Sequence, residues 1–213
     1  MTEAFFGGIR DLFGGRFTQP QVDGLNHLLK ATYGKALTHR AYILATAFHE
    51  TAKTMQPIAE YGKGKGRAYG QKDATGKAPY GRGYVQLTWR ENYLRADREL
   101  GLGGALASDY DVALQPEVAA KILVEGMSEG WFTGKSLSDF RERDYVGMRR
   151  IVNGTDRANM IAGYAATFER ALEADRDAPA EAVAPAAPKA SPVAALIAAI
   201  LKVLEWLTKG RRT

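Results

Sequence analysis

The chain has 213 residues, 46% of them hydrophobic and 25% charged, a balance that reads as one main soluble, globular domain with room for an appendage. It has no cysteine, which excludes disulfides and thiolate zinc sites. The net charge is +5 and unevenly placed: residues 53–98 hold ten Lys/Arg against four Asp/Glu, a bias that attracts polyanions such as nucleic acid, acidic glycans or cell-wall polymer, and that a merely solvated loop would also show.

At the N-terminus, Met1-Thr2-Glu3-Ala4-Phe5-Phe6 has no basic region and no continuous apolar stretch, so no secretory signal is expected. Thr18 is a predicted helix N-cap with Pro20 in the first turn, and Val22, Leu25, Leu28 and Leu29 follow at helical spacing up to Gly34. A second helix is predicted over residues 38–55, with Ala41, Leu44, Ala45 and Phe48 as its apolar stripe. Pro57 forbids its continuation, because proline removes a backbone donor and disfavours helix at the residue before it. Residues 63–78, rich in Gly and Lys, read as a loop, and residues 84–89 as an extended segment. Helices are predicted over 90–100, from Pro116 toward Trp131-Phe132, over 137–152 and over 159–172, the last two separated by the Asn153-Gly154-Thr155 turn. The fold class expected is mainly α, a lysozyme-like helical domain with a small extended segment.

Composition changes after Glu173. The predicted organisation is a catalytic domain over 1–173, an Ala/Pro-rich linker over 174–192 and a basic amphipathic C-terminal helix over 193–213. Leu196, Ile197, Ile200, Leu201, Leu204 and Leu207 share one face of that helix, and Arg211-Arg212 follow it. The apolar run is shorter than the ~20 residues of a membrane span. Such a helix suits the surface of an anionic membrane, docking onto the domain, or self-association.

The chemistry-bearing residues begin with His49-Glu50-Thr51 and Glu60. Two carboxylates of this kind equip an enzyme for glycosidic cleavage: one protonates the leaving oxygen and the other activates water. Glu50, beside Phe48 at the apolar end of a helix, is placed to be desolvated and to keep a proton, as a general acid must; a surface glutamate would occupy the same position. In an unbroken helix, ten residues would part the carboxyls by about 15 Å. The break at Pro57 lets the chain fold back toward the roughly 6.5–9.5 Å of inverting glycosidases. His49-Glu50 also invites a metalloprotease reading, but Lys53 stands where the second zinc-binding histidine would be, so no metal and no cofactor are expected. His49 is then a hydrogen-bonding residue near the acid. Gly62, Gly64, Gly66 and Gly70 lack the Gly-Lys-Ser/Thr ending of a phosphate loop. Gln86 and Thr88 alternate with Val85 and Leu87, so an extended chain would aim an amide and a hydroxyl at one face, for sugar or for the attacking water; a half-buried strand edge shows the same pattern. Tyr84 and Trp89 are candidates to stack on sugar rings or to pack in the core.

Taken together, these motifs resemble glycoside hydrolase family 19, the chitinase-like lysozyme fold, and within it the phage and bacterial endolysin branch. His49-Glu50-Thr51 is similar to the catalytic-acid motif. Tyr80-Gly81-Arg82-Gly83-Tyr84-Val85-Gln86-Leu87-Thr88-Trp89, continued by Asn92-Tyr93, is similar to the most recognisable segment, and Arg150-Ile151-Val152-Asn153-Gly154 to a later substrate-cleft motif. The resemblance spans residues 18–172. It implies Glu50 as general acid, Glu60 as general base, Thr88 orienting the water, and Gln86, Asn92 and Asn153 binding sugar. Compared with plant chitinases, the two acids are closer in sequence and cysteine is absent, which favours peptidoglycan over chitin. The implied function is a monomeric endolysin that hydrolyses the β-1,4 bond of peptidoglycan with inversion. It would wait in the host cytoplasm until release to the periplasmic wall, and its C-terminal helix would meet anionic outer-membrane lipid. A chitinase and a non-catalytic wall-glycan-binding protein are the alternatives. A nucleic-acid-binding module rests on the Lys63-to-Lys77 loop alone, and no specific nucleic-acid partner is expected.

Overall fold

The computed structural model describes residues 3–177, which form one compact unit; the expected linker beyond 177 and the C-terminal helix lie outside the described residues. In chain order the helices are α1 (Glu3–Ile9), α2 (Gln19–Ala31), α3 (Leu37–Glu50), α4 (Arg90–Glu99), α5 (Ala105–Ser108), α6 (Pro116–Ser128), α7 (Tyr145–Met148) and α8 (Ala158–Asp177). Between α3 and α4 lies a two-stranded sheet, β1 (Ile58–Ala59) and β2 (Arg82–Gly83), paired antiparallel with Ile58 opposite Gly83 and Ala59 opposite Arg82. The domain is mainly α, as its periodicities predict.

The core is built around α3. Every residue from Ala41 to Phe48 is buried, and a helix apolar on all sides belongs at the centre of a bundle. α8 packs along α3, and α1 packs along α8, where Gly8 lets the backbones approach: a Cβ there would meet the Ala171 Cβ at 3.0 Å. α1 was not foreseen from sequence. Its two glycines and its length of 7 residues weaken the periodic signal, yet Phe5 and Ile9 are fully buried.

α2 begins as predicted. The Thr18 side chain accepts from the Gln21 N–H, and the Gln21 side chain returns a bond to the Thr18 backbone, completing a capping box. α3 departs from expectation, ending at Glu50 rather than near Met55. The Thr51 hydroxyl donates to the Ala47 carbonyl at 2.7 Å and accepts from the Met55 N–H at 3.1 Å. Ala52, Lys53 and Met55 turn left-handed, with φ of 49°, 69° and 55°. For non-glycine residues this costs on the order of 1–2 kcal/mol each, and α2 offsets the strain. Gln21 donates to the Lys53 carbonyl at 3.0 Å, and Gln56 donates to the Pro20 carbonyl. Gly24 lies so close to the reversal that a Cβ would fall 1.7 Å from the Met55 oxygen. The chain thus turns back six residues before Pro57, and β1 leads directly to Glu60.

The expected extended segment over 84–89 is a correction. Arg82 and Leu87 exchange both backbone hydrogen bonds, at 3.1 and 2.8 Å, and close a tight turn in which Gly83 and Gln86 have φ of 85° and 54°. Trp89, at φ 74°, then opens α4. The alternating burial arises from this turn: Val85 and Leu87 are buried, Gln86 and Thr88 half-buried. Arg82, itself buried, locks the base of the turn. Its guanidinium donates to Asp111, to the Ala78 and Tyr80 carbonyls and to the Tyr93 hydroxyl, and it stacks on the Tyr80 ring at 3.6 Å.

The helix predicted over 137–152 is a second correction: only short turns of helix form there. Arg143 is left-handed at φ 64°, and the Ser136 and Asp144 side chains each cap a fresh start. α8 runs to Asp177, past the point where the linker was expected to begin. No described helix is long and apolar enough to cross a membrane.

Candidate active site

Glu50 is the last residue of α3, so its position is set by the most deeply packed helix of the domain. It does not sit in the apolar surroundings that its neighbour Phe48 suggested. Arg149, 2% exposed, donates from Nη1 to Glu50 Oε1 at 2.7 Å, and its Nε donates to the Asp156 carbonyl at 3.0 Å. The carboxylate is 20% exposed, and Oε2 has no partner among the described residues. A fixed guanidinium therefore aims one oxygen and leaves the other for chemistry.

Glu60 follows β1 and is held at both oxygens. The Tyr69 hydroxyl donates to Oε1 at 3.2 Å, and the Gly81 N–H donates to Oε2 at 3.2 Å; the Glu60 N–H returns a bond to the Gly81 carbonyl at 2.8 Å. Burial first, and then the neighbouring Glu60 carboxylate, raise the Tyr69 phenol above its ordinary pKa, so Tyr69 stays a donor at neutral pH. Gly81 lies close under Gln86: a Cβ there would come within 2.8 Å of Gln86 Oε1, so the Gln86 side chain would have to shift.

A hollow of about 150 Å³ lies along the predicted sugar-binding segment, and neither carboxylate is among its lining residues. One wall is the turn after β2, with Val85, Gln86, Leu87 and Thr88, plus Asn92 from α4; the other includes Phe132 and Val152. The Gln86 amide donates to the Ile58 and Gly83 carbonyls and so ties this wall to the hairpin that carries Glu60. The opposite wall continues back through Ile151 and Arg150, whose carbonyls accept from the Thr133 hydroxyl, to Arg149, which holds Glu50. Thr88 Oγ1 donates to the Gln86 carbonyl at 2.7 Å and keeps its lone pairs for a further donor such as water. Asn92 Nδ2 donates to the Thr88 carbonyl at 2.7 Å, which fixes the amide and leaves its oxygen outward.

The remaining predicted residues divide. Asn153 is exposed beside Val152, with Oδ1 accepting from the Gly154 N–H at 2.8 Å. His49 is half-buried beside Glu50 and does not line the hollow. Burial is the main cause that lowers its pKa, against the raising pull of Glu50, so the ring is neutral at physiological pH. Tyr84 is a correction: it is fully buried and unavailable to stack on sugar. Trp89, 47% exposed, keeps that capacity, edge-on to Tyr69 at 5.3 Å between centroids. Arg149 and Tyr69 were missed. For Arg149 a signal existed: it follows Met148 and immediately precedes the segment Arg150-Ile151-Val152-Asn153-Gly154 singled out from sequence. Among the described residues no group of three or more His, Asp or Glu is placed to hold a metal.

No family model matches this sequence, and no curated protein is significantly similar to it. Among solved structures, chitinase C from Streptomyces griseus HUT6037 is similar in fold, with a TM-score of 0.56 over 81% of this chain and 78% of the chitinase, at 20% sequence identity. The protein therefore has a chitinase-like, mainly α fold.

Proposed function

We propose that the protein is a glycoside hydrolase of the endolysin kind, which cuts the β-1,4 bond between N-acetylmuramic acid and N-acetylglucosamine with inversion. The observation that carries this reading is a pair of carboxylates each held by fixed donors, Glu50 by Arg149 and Glu60 by Tyr69 and Gly81, on chain segments that lead into a polar hollow. Such a pair is the apparatus of inverting hydrolysis. In this mechanism Glu50 donates a proton from Oε2 to the glycosidic oxygen as the bond to the anomeric carbon breaks. Glu60 accepts a proton from the water that attacks the same carbon from the other side, with the Thr88 hydroxyl oxygen receiving that water's second hydrogen. Gln86, Asn92 and Asn153 present amides for the N-acetyl and hydroxyl groups of the sugars. The products are the two shortened glycans, and the proton on Glu60 returns to Glu50 through solvent. The substrate partner in this reading is the wall glycan, met by a monomer released from the host cytoplasm to the periplasmic wall.

A chitinase is the second reading, favoured by the structural likeness to a chitinase. The test uses turbidity of purified Gram-negative peptidoglycan with wild type and Glu50→Gln, then mass spectrometry of the products. The expected outcome is lysis by wild type, a loss of about 10²–10⁴-fold in the variant, and new reducing ends on muramic acid. Cleavage of chitin oligomers with no action on the wall would install the chitinase reading. A variant as active as wild type would leave a glycan-binding protein.

A further inference from the structure

The loop that leaves Glu60 bears four cations, Lys63, Lys65, Arg67 and Lys72, and no acidic residue between positions 61 and 72. All four are exposed, and none forms an ion pair or side-chain hydrogen bond among the described residues. Elsewhere in the domain some cations find carboxylates, as Lys77 finds Asp109 and Arg90 finds Asp73, while Arg16, Lys30, Lys121, Lys135 and Arg150 are exposed without one among the described residues. What sets the stretch next to Glu60 apart is clustering: four unpaired cations fall within ten residues, with no acid among them.

The loop is built, not loose. Successive turns run Lys63 to Glu60, Lys65 to Gly62, Arg67 to Gly64 and Gly70 to Arg67, each a backbone bond of 2.9–3.0 Å. The two ends cross at Gly64 and Gly70, where a Cβ on Gly70 would lie 1.9 Å from the Gly64 oxygen. Gly64 is buried in this crossing, and Lys65 and Arg67 stand on the arc between the two glycines. Tyr69, just inside the crossing, reaches Glu60 with its hydroxyl and Trp89 with its ring. Tyr61, 87% exposed, and Trp89 add aromatic faces to the same rim. Aromatic faces suit sugar rings, and a fixed array of unpaired cations suits carboxylates spaced along a polymer.

We propose that Lys63, Lys65, Arg67 and Lys72 form a specificity rim that selects glycan strands carrying carboxylated peptide branches over neutral glycan. The rim rests on the hydrolase reading for its purpose but not for its chemistry: the hollow supplies amides and hydroxyls that any N-acetylated glycan satisfies, whereas the rim answers to charge. Its contribution falls with salt, because screening shortens from about 8 Å at physiological ionic strength to about 3 Å at 1 M.

The test compares native peptidoglycan with the same material amidated at its carboxylates, using the full chain and the variant Lys63→Asn/Lys65→Gln/Arg67→Gln/Lys72→Gln. Asparagine suits the left-handed position 63, where φ is 46°. Wild type is expected to favour native over amidated wall by about tenfold in kcat/KM, mostly through KM, with the preference lost near 1 M salt. In the variant the ratio should approach one, with a melting temperature unchanged from wild type. An equal ratio in wild type and variant, or a wild type indifferent to amidation, overturns the rim. Failure of wild type to cleave any wall would instead refute the hydrolase reading, and co-sedimentation with native and amidated sacculi then decides the rim alone: loss of the native preference in the variant supports it, and equal binding overturns it. Tighter binding of wild type to duplex DNA than to native sacculi, lost in the variant, would overturn it in favour of nucleic acid.

Discussion

Replacing Arg149 by Met tests the arrangement of the acid most directly. Arg149 is 2% exposed and spans two partners, the Glu50 carboxylate at 2.7 Å and the Asp156 carbonyl at 3.0 Å. Breaking a buried ion pair by removing one partner costs about 3–5 kcal/mol. Glu50 keeps 20% of its side-chain surface, so water relieves part of that penalty, and about 3 kcal/mol is expected. For a domain of this size each kcal/mol lowers the melting temperature by about 2–4 °C, which places the loss at roughly 6–12 °C. Arg149→Lys keeps the charge but not the planar fork, and should cost about half as much. Urea unfolding of wild type, Glu50→Gln, Arg149→Met and the double variant completes a cycle, in which a coupling of at least ~1 kcal/mol is expected. Hydrolysis by Arg149→Met should fall by about 10²-fold in kcat with KM little changed, since a freed carboxyl no longer meets the leaving oxygen. An Arg149→Met substitution that costs the same with or without the Glu50 carboxylate would refute the pairing.

Gly24→Ala should destabilise by about 1–3 kcal/mol or more, because its Cβ would lie 1.7 Å from a backbone oxygen that cannot rotate away. It should also lower activity, since the reversal at Met55 carries Glu60; urea unfolding within about 0.5 kcal/mol of wild type would contradict the close approach. Asp73 anchors the far end of the cationic loop to Arg90 and Tyr110. Burial would raise its pKa, but hydrogen bonds from Thr75 and Tyr110, with Arg90 beside it, hold the carboxyl down to about 2. A depressed folded-state pKa gives stability that is present above the unfolded value of about 3.9 and is lost as pH falls toward 2. Asp73→Asn should therefore be less stable than wild type at neutral pH, and the two unfolding curves should converge between about pH 4 and pH 2; a gap that persists at pH 2 would exclude the carboxylate as its source.

Much of this architecture is legible in the residues. The Thr18 cap, the apolar face of α2, the buried run in α3 and the helix after Pro116 all rest on local periodicity, and they form where expected. The misses share a physical origin. The end of α3 and the turn at 83–86 depend on left-handed Ala52, Lys53, Met55 and Gln86, conformations that only contacts distant in sequence make tolerable. α2 supplies those contacts for the reversal after α3, through the Gln21 side chain and the Pro20 carbonyl that accepts from Gln56. The 137–152 region contains helix formers, but charged Arg141-Glu142-Arg143-Asp144 and two capping side chains break it into single turns. In the site, the carboxylates and the amides are visible by residue type. Their holders are not, because Arg149 lies 99 residues from Glu50 and its role exists only in three dimensions.

The same contrast bears on specificity. Gln86, Thr88 and Asn92 each donate to backbone carbonyls, Gln86 to two and the others to one, so they offer the hollow fixed, neutral groups. Neutral groups reward an N-acetyl sugar equally in a chitin strand and in a wall strand, and a hydrophobic or amide contact discriminates weakly between near-isosteres. Discrimination has to come from chemistry that one polymer has and the other lacks, and for wall glycan that difference is charge. Among the described residues, four unpaired cations next to Glu60 stand on and beside the arc closed by Gly64 and Gly70, Lys65 and Arg67 on it and Lys63 and Lys72 flanking it. In the proposed reading, the neutral hollow accepts either glycan and the rim decides which one reaches it.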